Sequence, residues 1–208
     1  MLNINRLVLG PVQTNCYIVE NEDTKEAIVF DPADNAKEII KCIEKEGLTV
    51  KGILLTHGHF DHISAADELR AHCGCKLYAH ENEEELLKSP ELNLSTSFTG
   101  HPVSTNADIY VKDKEELTLA GIKIQVIYTP GHTRGGCCYY FPEHMLLISG
   151  DTLFRGTVGR TDFPTGDYDT LLTFIKTRLF ELDDEVQVLP GHNDITTIGY
   201  EKQYNSEL

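Results

Sequence analysis

Four apolar, strand-like runs of this chain each give way to a loop carrying glycine with histidine or aspartate, so a fold serving all four must gather their ends at one rim. Ile53-Leu54-Leu55 leads into Thr56-His57-Gly58-His59-Phe60-Asp61-His62, and Ile122 to Ile127 into Tyr128-Thr129-Pro130-Gly131-His132-Thr133. Leu146-Leu147-Ile148 leads into Ser149-Gly150-Asp151-Thr152, and Val186 to Leu189 into Pro190-Gly191-His192. A polar loop at the end of an apolar strand is held by a rigid element, the usual support for a binding or catalytic group. Taken singly, His132, Asp151 and His192 read as ordinary loop residues. Their joint placement makes them candidate ligands.

The first loop is the densest. It packs three imidazoles and one carboxylate into six residues, in a chain with only 9 His. His57 and His59 are two apart and can turn toward one point, while Asp61 and His62 continue the loop and can address a second. Imidazole and carboxylate are ligands of borderline divalent metals. A lone catalytic zinc uses three protein ligands plus water. The set His57, His59, Asp61, His62, His132, Asp151 and His192 is larger than that, so two divalent metals are expected, zinc foremost with iron or manganese as alternatives.

Composition fits a compact enzyme. At 208 residues and 40% hydrophobic content, a single domain spanning 1–208 is expected. Net charge is −15, from 33 acidic against 18 basic residues, which opposes binding to a phosphate backbone, so no nucleic-acid partner is expected. No basic-apolar leader opens the chain and no apolar run approaches the ~20 residues of a bilayer span, so no membrane association and a cytoplasmic location are expected. The six cysteines agree. Cys16, Cys137 and Cys138 lie in strand-like surroundings and read as small buried hydrophobes; Cys73-Gly74-Cys75 reads as a helix-ending turn.

Along the chain, strands are predicted at about Ile4 to Leu9, Asn15 to Glu20, Glu26 to Asp31 and Val50 to Leu55. Ala36, Ile39, Ile40 and Ile43 recur at helical spacing and stop at Gly47. Ser64 with Asp67 reads as a capping box opening a helix to about Cys73. Lys76 to Ala79 reads as a short strand, and Glu81 to Lys88 as a short acidic helix whose charges form a solvated face. Ser89 to Ala107 reads as one long irregular stretch, containing His101, of the kind that serves as a lid, a binding loop or a plain surface excursion. A helix from about Tyr168 carries Leu171, Leu172, Ile175 and Leu179 on one face, and Tyr139, Tyr140 and Phe141 read as core. This order of elements fits an α/β sandwich.

The series His-x-His-x-Asp-His, Gly-His-Thr, Gly-Asp-Thr and Pro-Gly-His resembles the metallo-β-lactamase superfamily, over about Gly10 to Asn205. Gly150 to Phe154, Gly159-Arg160-Thr161-Asp162 and the tail Thr196 to Lys202 make the chain most similar to short bacterial hydroxyacylglutathione hydrolase-like (glyoxalase II-like) proteins. The resemblance implies an αββα sandwich. It assigns His57, His59, His132 and Asp151 to one metal, and Asp61, His62, His192 and the shared Asp151 to the other, with Asp61 and Asp151 as catalytic carboxylates. It also implies that Arg160 contacts the peptide part of an acyl-thiol substrate. A structural ion pair of Arg160 with Asp162 or Asp167 is the competing reading. The chain departs from the family pattern in having Asn193 where Gly is common and Arg134 where Pro is common, and the C-terminal helical glutathione-binding domain of full-length hydroxyacylglutathione hydrolases is not expected in it.

The expected chemistry follows. Two dications roughly 3.5–4 Å apart share a water and hold it as hydroxide near neutral pH. That hydroxide attacks the carbonyl of a thioester, with a hydroxyacylglutathione-like compound as the small-molecule substrate. Alternatives are an iron-dependent glutathione persulfide dioxygenase, and a lactonase, lactamase or other acyl hydrolase. A diiron electron-transfer module is opposed by His59, since such relatives carry Glu there. No Gly-x-Ser-x-Gly elbow, P-loop or dinucleotide fingerprint is present.

Overall fold

Residues Thr14–Asn21 form a strand buried on both sides: Cys16 and Ile18 face one way, Tyr17 and Val19 the other, all essentially inaccessible. Successive side chains of a strand point to opposite faces, so such a strand demands a packed layer above and below it. A computed structural model describing residues 1–208 supplies those layers as helix, sheet, sheet and helix.

The first half comprises β1 (Leu2–Leu9), β2 (Thr14–Asn21), β3 (Glu26–Phe30), α1 (Ala36–Glu46), β4 (Thr49–Leu54), α2 (Phe60–Ile63), α3 (Ala66–Cys73), β5 (Lys76–His80), α4 (Glu84–Lys88), α5 (Ser95–Thr99) and β6 (Ile109–Val111). The second half comprises β7 (Glu116–Leu119), β8 (Ile122–Tyr128), β9 (Cys137–Phe141), β10 (Leu146–Gly150), β11 (Leu153–Phe154), β12 (Thr157–Val158), α6 (Tyr168–Phe174), β13 (Gln187–Pro190), β14 (Thr196–Thr197) and α7 (Ile198–Tyr204). One six-stranded sheet runs β1-β2-β3-β4-β5-β6, the other β14-β13-β10-β9-β8-β7, and β11 and β12 form a small hairpin. Antiparallel pairing at β1–β3 turns parallel from β3 to β6, where helices cross between strands.

Three apolar clusters fill the three interfaces. Tyr17, Phe30, Tyr139 and Phe141 lie between the sheets, with the Phe30 ring 5.4 Å from Tyr139 and 5.9 Å from Phe141. Ile39 and Ile43 of α1 and Leu69 of α3 cover the outer face of the first sheet. Leu171, Ile175, Leu179 and Ile198 cover the second, the helix of α6 widening into a π-helical turn over Ile175–Leu179. Cys137 and Cys138 fall into different clusters, as opposite faces of one strand require. All six cysteines are free, and Gly74, at φ 64, ends α3 between Cys73 and Cys75.

Three sequence expectations are corrected. Ser64 is not an N-cap: it sits in helical backbone (φ −59, ψ −30) at the end of α2, and its hydroxyl donates back to Phe60 O at 2.6 Å, while α3 starts after Ala65 without a side-chain cap. The acidic segment 81–88 is not wholly a solvated face, because Glu83 is 1% exposed. The stretch 89–107 is not wholly irregular. It contains α5, anchored where Phe60 N donates to Asn93 O at 2.9 Å.

The strand ends meet as the sequence requires. Gly191 N donates to Gly150 O at 2.8 Å, joining the ends of β13 and β10, and Cys137 N donates to Thr56 O at 2.9 Å, joining the two sheets. The Tyr17 hydroxyl donates to Pro190 O and the Tyr139 hydroxyl to Leu55 O, at 2.8 and 2.9 Å. These bonds fix the rim from below. No helix is long and apolar enough to cross a membrane.

Candidate metal centre

All seven candidate ligands converge on that rim. His57 Nε2, His59 Nδ1 and His132 Nε2 form one group: His132 Nε2 is 2.9 Å from His59 Nδ1 and 3.2 Å from His57 Nε2. Asp61, His62 and His192 form a second, with Asp61 Oδ2 3.5 Å from His62 Nε2 and 3.3 Å from His192 Nε2. Asp151 stands between them. Its Oδ2 is 3.5 Å from His132 Nε2 and 3.4 Å from His192 Nε2, so a single oxygen faces both groups, while Oδ1 lies 3.4 Å from His62 Nε2.

The arrangement suits bound divalent metal better than an empty cluster. Buried His62 Nε2 and Asp151 Oδ1 make no hydrogen bond, although polar atoms at this depth normally do. Three ring nitrogens crowded into one point cannot alternate donor with acceptor, so two like groups face each other, a conflict that a cation bound by three lone pairs removes. Gly191 leaves the space open: a Cβ there would stand 2.3 Å from Asp151 Oδ1 and 2.7 Å from His62 Cε1.

The two groups differ electrostatically. Burial holds the imidazoles of His57 and His132 below their ordinary range and brings His59 down to about 3, so these rings are neutral and ready to donate lone pairs. At His62 and His192 burial acts in the same direction but is outweighed by carboxylates. Asp61, Asp151 and Asp31 raise His62, and Asp151 with Asp61 pushes His192 up to about 9. The carboxylates respond in turn. Despite burial, His62 and His192 hold Asp61 down to about 2 and keep Asp151 well below the usual carboxylate range.

Residues outside the motifs position the ligands. Asp31 lies just past β3 with left-handed backbone (φ 47); its Oδ2 is 3.0 Å from His62 Nδ1 and accepts from the Thr56 hydroxyl at 2.7 Å, and its Oδ1 accepts from Thr56 N at 2.7 Å. His132 Nδ1 donates to Arg160 O at 2.6 Å, and Thr14 Oγ1 donates to Asp61 Oδ2 at 2.8 Å. Glu83 Oε1 accepts from Gly58 N at 2.9 Å, tying the segment before α4 to the first ligand loop. Sequence reading missed Asp31, although Val29-Phe30-Asp31 is itself an apolar run closing on an acid.

Arg160 sits at the edge of the cleft over these ligands, where its guanidinium binds both oxygens of Asp162 at 2.7 Å and lies 3.9 Å over the Phe163 ring. Asn193 has φ 65, a conformation that glycine adopts freely and asparagine tolerates, which explains the Gly of its relatives. Arg134 pairs with Glu85 at the surface. His101 is exposed and belongs to none of these ligand groups.

Comparison with known proteins agrees with this geometry. Residues 9–192 match the family model described as the metallo-beta-lactamase superfamily. The hydroxyacylglutathione hydrolase GloC of Haemophilus influenzae is 37% identical over 213 residues, covering 100% of this chain and 98% of that protein. Among solved structures, the BLEG-1 B3 metallo-beta-lactamase is similar at TM-score 0.94 and 39% identity, covering 98% of both chains. TTHA1623, solved in a di-iron-bound form, is similar at TM-score 0.86 and 34% identity, covering 98% of this chain and 100% of that one. The chain belongs to the metallo-β-lactamase superfamily, as a metallo-hydrolase with a candidate His/Asp site for divalent metal.

Proposed function

We propose that this metallo-hydrolase is binuclear and cleaves a thioester of the hydroxyacylglutathione kind. The observation that carries the reading is Asp151 Oδ2, set between two complete groups of ligands at 3.5 and 3.4 Å. His57, His59, His132 and Asp151 would hold one cation; Asp61, His62, His192 and Asp151 the other. When bound, such a pair lowers the pKa of a water and polarises a carbonyl oxygen.

The chain's own residues do the rest. Both Asp31 oxygens already accept from Thr56, so His62 Nδ1 is read as the donor between them, with Nε2 fixed toward the second group. The Arg160 carbonyl does the same for His132. Asp61, ionised and held by Thr14, lines the cleft where it can take the proton of the attacking water on its carboxylate. The water oxygen joins the acyl carbon, the C–S bond breaks, and the proton taken up by Asp61 passes to the departing thiolate or to solvent, leaving a carboxylate and a thiol. A thiolate needs little protonation to leave, so no separate general acid is required. Arg160 is the group for an anionic carrier: its pair with Asp162 is exposed, so a substrate carboxylate can exchange for Asp162.

The similarity to GloC supports a glutathione-type thioester. That to BLEG-1 favours a second reading, hydrolysis of a cyclic amide at the same centre. The deciding experiment supplies S-lactoylglutathione, a β-lactam and glutathione persulfide to protein loaded with zinc, manganese or iron. Anaerobic release of free thiol supports the proposal. Lactam opening alone supports the second reading, and turnover that requires iron and oxygen overturns both.

A further inference from the structure

The cleft over the ligands encloses about 390 Å³, and apart from the ligands themselves its wall is mainly hydrocarbon. The Phe98 ring stacks on Phe60 at 5.8 Å and 21°, and Phe163 meets Phe98 edge-on at 5.8 Å and His59 edge-on at 5.8 Å. Phe98 is 58% exposed and Val12, on the same cleft, 44%. The one guanidinium in the wall donates to both oxygens of Asp162 and is laid flat on Phe163. Aromatic and apolar surface is therefore left open to water beside a ligand cluster, with no unpaired basic side chain facing it. A lactoyl group, one methyl and one hydroxyl beyond its carbonyl, covers little of that surface and leaves its hydroxyl against rings.

We propose that the acyl group of the substrate is apolar and about the size of a phenylacetyl group, seated against Phe98 and Phe163, and that these two residues set specificity. This rests on the thioester-hydrolase reading and revises its acyl half, replacing the small hydroxyacyl group by a larger apolar one while leaving the thiol carrier as proposed. It assigns α5, which carries Phe98, the task of presenting an aromatic wall to the acyl group. Filling an apolar pocket discriminates by about ten- to two-hundredfold per methylene-sized group, so a ring against a methyl should give at least about tenfold.

The test uses metal-loaded protein and the neutral carrier N-acetylcysteamine as its acetyl, lactoyl and phenylacetyl thioesters. The phenylacetyl compound should exceed the lactoyl compound in kcat/KM by at least about tenfold, and Phe98→Ala and Phe163→Ala should each collapse that ratio. Equal or better use of the lactoyl compound overturns the proposal and leaves the hydrolase reading standing. Binding of two inert thioethers, S-phenethyl- and S-ethyl-N-acetylcysteamine, is measured by calorimetry on the same proteins. If no thioester is cleaved, tighter binding of the phenethyl compound that is lost in Phe98→Ala upholds the apolar acyl site while the hydrolase reading falls. Equal binding of the two thioethers overturns it.

Discussion

Asp31 and His62 are joined carboxylate to imidazole at 3.0 Å, both buried, with the ring's other nitrogen facing Asp61 and Asp151. The same carboxylate accepts from Thr56 N and Oγ1, so one residue sets the orientation of His62 and the start of the first ligand loop. Asp31→Asn should lower metal affinity at the second group by roughly ten- to a hundredfold, the usual effect of removing an outer partner. Asp31→Ala should also destabilise the protein by about 2–4 kcal/mol, because Thr56 loses its acceptors. Metal titration of the two variants, with thermal melts, checks both. Unchanged affinity in Asp31→Asn contradicts the orienting role.

Asp151→Ala removes the oxygen that faces both groups. Turnover should fall by at least about a hundredfold, more than for an outer partner, with the circular dichroism of the sheets retained, since β10 is held by its backbone ladder to β9 and β13. His101→Ala, at an exposed position, should leave metal content unchanged. Wild-type turnover in Asp151→Ala contradicts the bridging assignment.

Arg160→Ala should raise KM for anionic acyl-thiols roughly tenfold, the worth of about 1.4 kcal/mol of charged hydrogen bonding, with a smaller effect on kcat. A neutral thioester should respond much less. Equal effects on the two substrate classes would assign Arg160 to its pair with Asp162 alone.

How far the sequence reaches is visible in these residues. The candidate ligands were legible because metal chemistry confines such residues to a few types at the ends of apolar runs, and the layers were legible because strands such as β2 and β9 are apolar on both faces. Asp31 was hidden by reading it as the last residue of its strand, whereas the chain turns left-handed there and aims the carboxylate inward. Glu83 was hidden because an acid in an acidic segment reads as surface, and only the fold brings Gly58 N against it. Ser64 failed as a cap because the preceding turn is already helical, a fact set by the packing of Phe60 and Ile63 rather than by local spacing.

Glu83 makes stability depend on pH. Burial pushes its carboxyl up to about 7 from an ordinary 4.5, against the lowering effect of the Gly58 amide. As pH rises, the unfolded chain loses this proton first. The stability associated with it is full below pH 4.5 and declines through about 7, by on the order of 3 kcal/mol. Denaturant melts of wild type and Glu83→Gln across pH 4 to 8 should therefore diverge in slope within that window. Parallel curves would show that folding leaves the Glu83 carboxyl at its ordinary value.

The central claim is that seven residues hold two cations, and elemental analysis after saturation and desalting tests it most directly. About two metals per chain are expected at pH 8. Acidification should remove the second group's metal first, because protons compete harder for His62 and for His192, pushed up to about 9, whereas burial keeps His59 unprotonated to about 3. Content near one metal per chain around pH 6, with His57, His59 and His132 still loaded, completes the expected pattern. A chain that never takes up more than one metal at pH 8 contradicts the binuclear centre.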